Sequence, residues 1–153
     1  MTKQHTRSFL LADDDRDDRE MFSEALAALD PHIICEGVED GRQALKFLST
    51  SKISPSIIFI DINMPVMDGW ELLRLLKGDA DFLDIPVVVY STSSRLKDRE
   101  TAKSLGAICF VTKPDNFKLM KGMLKIVVDS LDKKSIDGMC EQIQAVLQQR
   151  FYN

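Results

Sequence analysis

Short, unbroken apolar runs alternate along the chain with longer stretches in which apolar residues recur at helical spacing. The runs Ser8 to Ala12, Ile33 to Val38, Ser56 to Ile60, Pro86 to Tyr90 and Ile108 to Val111 are rich in Val, Ile, Leu and Phe, and their length suits strands. Between them, Phe22, Ala25, Leu26 and Leu29 mark a first helix, and Ala44, Leu45 and Leu48 mark a second after the turn at Asp40-Gly41. The third has explicit ends. Asp68 and Glu71 have the spacing of an N-terminal cap, Leu72, Leu73, Leu75 and Leu76 follow, and the helix is expected to stop near Gly78. The fourth carries only a sparse apolar pattern of Leu96, Ala102 and Leu105, which suggests loose docking.

The last third of the chain holds more apolar surface than one sheet needs. Phe117, Met120, Leu124, Val127, Val128 and Leu131 share one face of a fifth helix and should meet the sheet, whereas Leu119, Met123 and Ile126 form a second stripe pointing away. After a polar break at Asp132 to Ser135, a matching stripe of Ile136, Met139, Ile143, Val146 and Leu147 predicts a terminal helix. An uncovered apolar face marks an interface. The terminal helix is therefore expected to pack on the fifth, in its own chain or in a dimer partner.

Strands separated by helices imply right-handed crossovers and a doubly wound parallel sheet covered on both faces, so the fold class is α/β. Residues 7–131 account for five strand–helix units as one domain. Residues 132–153 are expected to form a helical tail, too short for an ordinary effector domain.

Composition narrows the function. Apolar residues at 44% and charged residues at 29% fit a globular domain. The net charge of -4 and a pI near 5.2 argue against direct nucleic-acid binding, which needs clustered Lys and Arg. Without a long apolar segment or a leader-type cleavage site, the chain is expected to be cytoplasmic and free of the membrane. Cys35, Cys109 and Cys140 are widely spaced and lack metal-ligand spacing, so they are expected to be reduced thiols, buried or incidental.

In an open α/β sheet, ligands collect beyond the carboxyl ends of the strands. Those ends are distinctive here: Asp13-Asp14-Asp15 after the first strand, Asp61-Ile62-Asn63 after the third, Ser91-Thr92 after the fourth and Thr112-Lys113-Pro114 after the fifth. If the first and third strands are neighbours, Asp13 or Asp14 and Asp61 leave the sheet roughly 5 Å apart, the spacing of adjacent strands. Carboxylates that close repel unless a cation sits between them. All-oxygen ligation favours Mg²⁺, with Mn²⁺ a plausible substitute, and Lys113 complements the remaining charge. Such a set can bind the oxygens of a phosphoryl group in transfer, with Asp61 as the nucleophile.

Four motifs together carry a resemblance: Leu10-Leu11-Ala12-Asp13-Asp14, Asp61-Ile62-Asn63-Met64-Pro65-Val66-Met67-Asp68-Gly69, Pro86-Val87-Val88-Val89-Tyr90-Ser91-Thr92, and Leu105-Gly106-Ala107 leading to Lys113-Pro114. From about Arg7 to Leu131 the chain closely resembles the receiver domains of two-component response regulators, of the stand-alone, CheY-like kind. The resemblance implies a flavodoxin-like sheet of order 2-1-3-4-5. It implies that Asp61 accepts a phosphoryl group from a histidine kinase or histidine phosphotransfer protein. It also implies that Asp14 and the backbone carbonyl of Asn63 hold Mg²⁺ with help from Asp13, and that Lys113 contacts the phosphoryl group. Ser91 would be the switch hydroxyl, Phe110 the switch aromatic, and Lys113-Pro114 often a cis bond. Such a protein catalyses only its own phosphorylation and dephosphorylation, and it signals through an unnamed protein partner or as a relay intermediate.

Several residues have plainer readings. Asp17, Asp18 and Glu20 are expected only to oppose the positive end of the first helix, outside the site. Ser91 and Thr92 could cap the fourth helix, and Trp70 is read as a packing residue. The alternative function is a Mg²⁺-dependent phosphohydrolase with an aspartyl nucleophile, although Asn63 stands where its second acid would be expected. A flavin carrier is a poorer match, because three aspartates in the first loop would repel a phosphate.

Overall fold

The computed structural model describes residues 7–148, so the expected tail to Asn153 runs past the described residues. Strands β1 (Ser8–Ala12), β2 (Ile34–Val38), β3 (Ile57–Ile60), β4 (Val87–Ser91) and β5 (Cys109–Thr112) alternate with helices α1 (Arg16–Leu29), α2 (Gly41–Thr50), α3 (Gly69–Lys77), α4 (Leu96–Ser104) and α5 (Phe117–Asp132). A sixth helix, α6 (Met139–Gln148), follows. All strand pairs are parallel and the order is β2-β1-β3-β4-β5, as expected of a flavodoxin-like sheet.

Alternate strand residues face opposite sides, which is why the apolar runs are continuous. On one side Phe9, Leu11, Phe59, Tyr90 and Val111 pack with Phe22 and Leu26 of α1 and Leu124 and Val127 of α5. Phe22 meets both Phe59 and Tyr90 edge-to-face, with centroids 5.0 and 5.8 Å away. On the other side Leu10, Ile58, Ile60, Val87, Val89 and Phe110 pack with Ala44 of α2, Leu72, Leu73 and Leu76 of α3, and Ala102 of α4.

Helix ends follow the side-chain chemistry. Asp15, Asp40, Asp68 and Asn116 each accept a hydrogen bond from a backbone N–H of the first turn of α1, α2, α3 and α5. The Asp68–Glu71 spacing thus reads as it should, and Gly78 closes α3. Neither Ser91 nor Thr92 caps α4, whose N-cap position is held by Arg95 without a side-chain cap bond. Its inner face holds only Asp98 and Ala102, and Leu96 is 69% exposed, in keeping with a sparsely docked helix.

The outward stripe of α5 is covered as expected, with Met123 fully buried where α6 of the same chain packs on it. One reading of α5 needs correction. Phe117, assigned to the sheet, lies exposed in the first turn, with the Lys121 ammonium 5.9 Å over its ring. Met139 and Ile143 of α6 join the core, and Gly122 lets the helices approach closely, since a Cβ there would lie 3.2 Å from Val146. Ile136 precedes α6 and is exposed. The stripe is covered without a second copy of the chain.

The cysteine expectation is overturned in part. Cys109 of β5 and Cys140 of α6 form a disulfide, with Cα atoms 5.5 Å apart, and Cys35 remains a free thiol whose pKa burial pushes up to about 11. Gln144 adds a hydrogen bond from Nε2 to the Phe110 carbonyl at 2.8 Å, so α6 is tied to β5 by a covalent and a polar link.

The disulfide closes a loop of sequence separation 31. Loop-closure entropy for that length predicts that Cys140→Ser lowers stability by about 3–4 kcal/mol. Urea unfolding should show the same loss in the wild type on adding dithiothreitol and no further loss in the variant.

Candidate functional site

Placing β1 and β3 side by side brings their carboxyl ends together. The Asp61 N–H donates to the Ala12 carbonyl at 2.8 Å and the Asp13 N–H to the Val38 carbonyl at 2.9 Å, so backbone bonds fix where both carboxylates leave the sheet. Asp13 is fully buried, Asp61 is nearly so, and Asp14 is exposed beside them. One oxygen from each of the three carboxylates lies within 4.8 Å of the others.

The loop after β3 is shaped by close approach. Gly69 opens α3 directly against the chain after β3, where a Cβ would overlap the Asp61 carbonyl oxygen and come within 2.9 Å of the Ile60 side chain. Its N–H donates to the Ile62 carbonyl at 2.8 Å. Val66 sits at the tip with φ 67°, a left-handed conformation that is costly for a β-branched residue, and it is 76% exposed. Asn63 is exposed in the same loop and lines a cleft of about 470 Å³ with Trp70, Thr92 and Arg95.

Lys113 supplies the counter-charge. Its Nζ is 2.8 Å from Asp13, 2.8 Å from Asp18 and 3.1 Å from Asp61, and its side chain is 8% exposed. Burial alone would lower the Lys113 pKa, but hydrogen bonds and charge from Asp13 and Asp18, with the charge of Asp61, outweigh it and raise the pKa. Burial pushes Asp13 up to about 6 against the pull of Lys113 and the Asp15 N–H, and the Asp61 charge adds to the rise. Asp13 Oδ2 faces the Lys113 ammonium at 2.8 Å and has no other polar partner. A buried, under-bonded carboxylate oxygen within a set of hard oxygen donors fits a divalent cation.

Asp18, read from the sequence as only opposing the helix dipole, also reaches Lys113. Its carboxylate accepts a hydrogen bond from Lys113, whereas Asp17, in the same helical turn, is exposed. The available signal was its position in the first turn of α1, directly after the acidic strand end. Ser91 is buried at the end of β4, where its carbonyl accepts from the Lys113 N–H at 2.7 Å and its Oγ from the Ser93 N–H at 3.2 Å. Phe110 is buried on β5 beneath the Arg99 guanidinium, 5.2 Å from the ring centroid. The Lys113–Pro114 bond, for which the resemblance implies a cis form, is trans, as are all peptide bonds among the described residues.

A doubly wound sheet with clustered carboxylates and a lysine at its carboxyl edge defines a class, and the comparisons agree with it. The chain belongs to the response regulator receiver domain family, whose model matches residues 9–125. It is a receiver of two-component signalling, and receivers of this family bind a divalent metal.

Among curated relatives, the response regulator Rcp1 of Synechocystis is 32% identical over 125 residues, covering 74% of this chain and 84% of Rcp1. Some other relatives are longer proteins, of which the chain spans 23% to 50%. The structure of the phosphorylated cyanobacterial phytochrome response regulator RcpA superposes with TM-score 0.76 at 30% identity, covering 82% of this chain and 96% of RcpA. The Mn²⁺-bound form of Rcp1 gives TM-score 0.71 at 30% identity, covering 81% of this chain and 96% of Rcp1. No helix among the described residues is long and apolar enough to cross a membrane.

The geometry of the β3–α3 loop makes two opposite predictions. Gly69→Ala should cost about 1–3 kcal/mol, because the added methyl displaces the Asp61 backbone. Val66→Gly should instead stabilise by about 1 kcal/mol, since it relieves the left-handed strain. Thermal denaturation of both variants checks the signs.

Proposed function

We propose that Asp61 is the phosphoacceptor of this receiver and that the chain acts as a phosphorylation-operated switch. The observation that carries the reading is the convergence of Asp13, Asp14, Asp61 and Lys113 from three strand ends on one point at the sheet's carboxyl edge. Asp61 is the carboxylate on the central strand, between the acidic pair of β1 and the amine that follows β5.

In the proposed transfer, an Asp61 carboxylate oxygen attacks phosphorus as the phosphorus–nitrogen bond to a histidine of a kinase or phosphotransfer protein breaks, and the imidazole leaves with the bonding pair. Lys113 donates to a phosphoryl oxygen and offsets the charge gathered there. Asp13, Asp14, Asp61 and the main-chain carbonyl of Asn63 would hold Mg²⁺, or Mn²⁺ in its place, which supplies further positive charge to the phosphoryl oxygens. The chain thus catalyses only its own phosphorylation and dephosphorylation.

The Ser91 hydroxyl, released from its bond to the Ser93 N–H, would donate to the phosphoryl group, and Phe110 would follow as the neighbouring loop and the thinly docked α4 adjust. Phosphorylation then shifts an existing equilibrium toward a form with a different outer face, read by a protein partner.

Acetyl phosphate with Mg²⁺ is expected to load phosphate onto the wild-type chain, and Asp61→Asn should abolish the reaction. Lys113→Ala should slow it about a hundredfold, the scale of losing one transition-state donor. Chelation of divalent metal should stop it. Peptide mapping that places the base-labile phosphate on another carboxylate would overturn the assignment.

A further inference from the structure

Lys113 has one more partner than the proposed transfer requires. Its Nζ donates to Asp18 Oδ2 at 2.8 Å, a shorter bond than the 3.1 Å to Asp61. Asp18 stands outside the trio of carboxylates that share one cation-sized space. It comes from the first turn of α1, where its own N–H is fixed by the Asp15 cap at 3.1 Å, so its backbone is held in place. On another side, the Lys113 ammonium lies 5.5 Å from the centroid of the Tyr90 ring.

From this arrangement we infer that Asp18 is a positioning residue that holds the Lys113 ammonium over Asp61. The inference rests on the roles proposed above for Asp61 and Lys113. A cation shared by Asp13, Asp14 and Asp61 engages two of the three carboxylates that now face Lys113, and it repels the ammonium. Lysine is a point charge on a flexible four-carbon stem, and without an anchor it would swing toward solvent. Asp18 is free of the cation cluster and takes one of the three ammonium hydrogens. The other hydrogens stay directed at the phosphoryl oxygens, so the anchor sets orientation without itself touching the reacting atoms.

Opposition to the helix dipole does not account for this contact. Asp17 occupies the same first turn and serves that purpose equally, yet it is exposed. The pair Asp17 and Asp18 therefore separates a general first-turn charge effect from a specific hold on Lys113.

The test uses the full chain and follows loading from acetyl phosphate at saturating Mg²⁺, with metal affinity read from Trp70 fluorescence. Asp18→Ala should lower the maximal loading rate about tenfold, as expected of a misplaced catalytic group. It should leave Mg²⁺ affinity and the melting curve unchanged. Asp18→Asn, which keeps an oxygen acceptor, should recover part of the rate, and Asp17→Ala should load like the wild type. Because the role runs through Lys113, Asp18→Ala should cause no further loss in a Lys113→Ala background.

Normal loading by Asp18→Ala, or an equal additional loss in the Lys113→Ala background, would remove the positioning role and leave the acceptor assignment standing. A fall in Mg²⁺ affinity as large as that of Asp14→Ala would make Asp18 a metal ligand instead. Absence of loading in the wild type, or loading away from Asp61, would strike the underlying reading together with this one.

Discussion

Carboxylates brought close together repel, and at the carboxyl edge of this sheet Asp13, Asp14 and Asp61 are held with oxygens within 4.8 Å. Burial of Asp13 sharpens the conflict, because little water is available to screen it. What makes the arrangement tolerable is the single ammonium of Lys113, shared among Asp13, Asp18 and Asp61. That charge balance depends in turn on strand order. Parallel strands open these loops on one edge, and the order, with β1 beside β3, makes the Asp13 and Asp61 strand ends neighbours.

The β3–α3 connection shows how closely the backbone follows this requirement. Gly69 lets α3 begin against the Asp61 carbonyl, and the Gly69 N–H closes the turn on Ile62. The Met67 carbonyl accepts from the Gly41 N–H at 3.1 Å, so the same loop is braced by the start of α2. The left-handed Val66 shows that the loop keeps its course even where the residue type resists it. Local strain of this sort persists only where the surrounding contacts over-determine the backbone.

Much of this architecture was legible in the sequence because it depends on local pattern. Strands buried on both faces read as unbroken apolar runs, and Asp68 with Gly78 marked the ends of α3. The strand-end carboxylates and Lys113 could be found because open α/β sheets collect ligands at one edge. Asp18 was missed because an acidic first turn already has a sufficient local explanation, and its reach to Lys113 is a distance no spacing rule supplies. The Cys109–Cys140 pairing was hidden for a related reason, since it exists only once α6 returns to β5. Phe117 was misplaced because periodicity extends a face into the first turn of α5, where the helix has already left the sheet's cover.

The return of α6 also leaves the two margins of the sheet unequal. At one, β5 has a helix laid along it, bound by a disulfide and by Gln144. At the other, β2 is a lateral strand with Ile34 39% exposed and Glu36 and Gly37 open to solvent. Lateral growth by addition of a foreign strand is thus confined to the β2 side, where the charge of Glu36 and the weak strand preference of Gly37 oppose it. The helix that completes the core also removes half of the molecule's opportunity to assemble edge to edge.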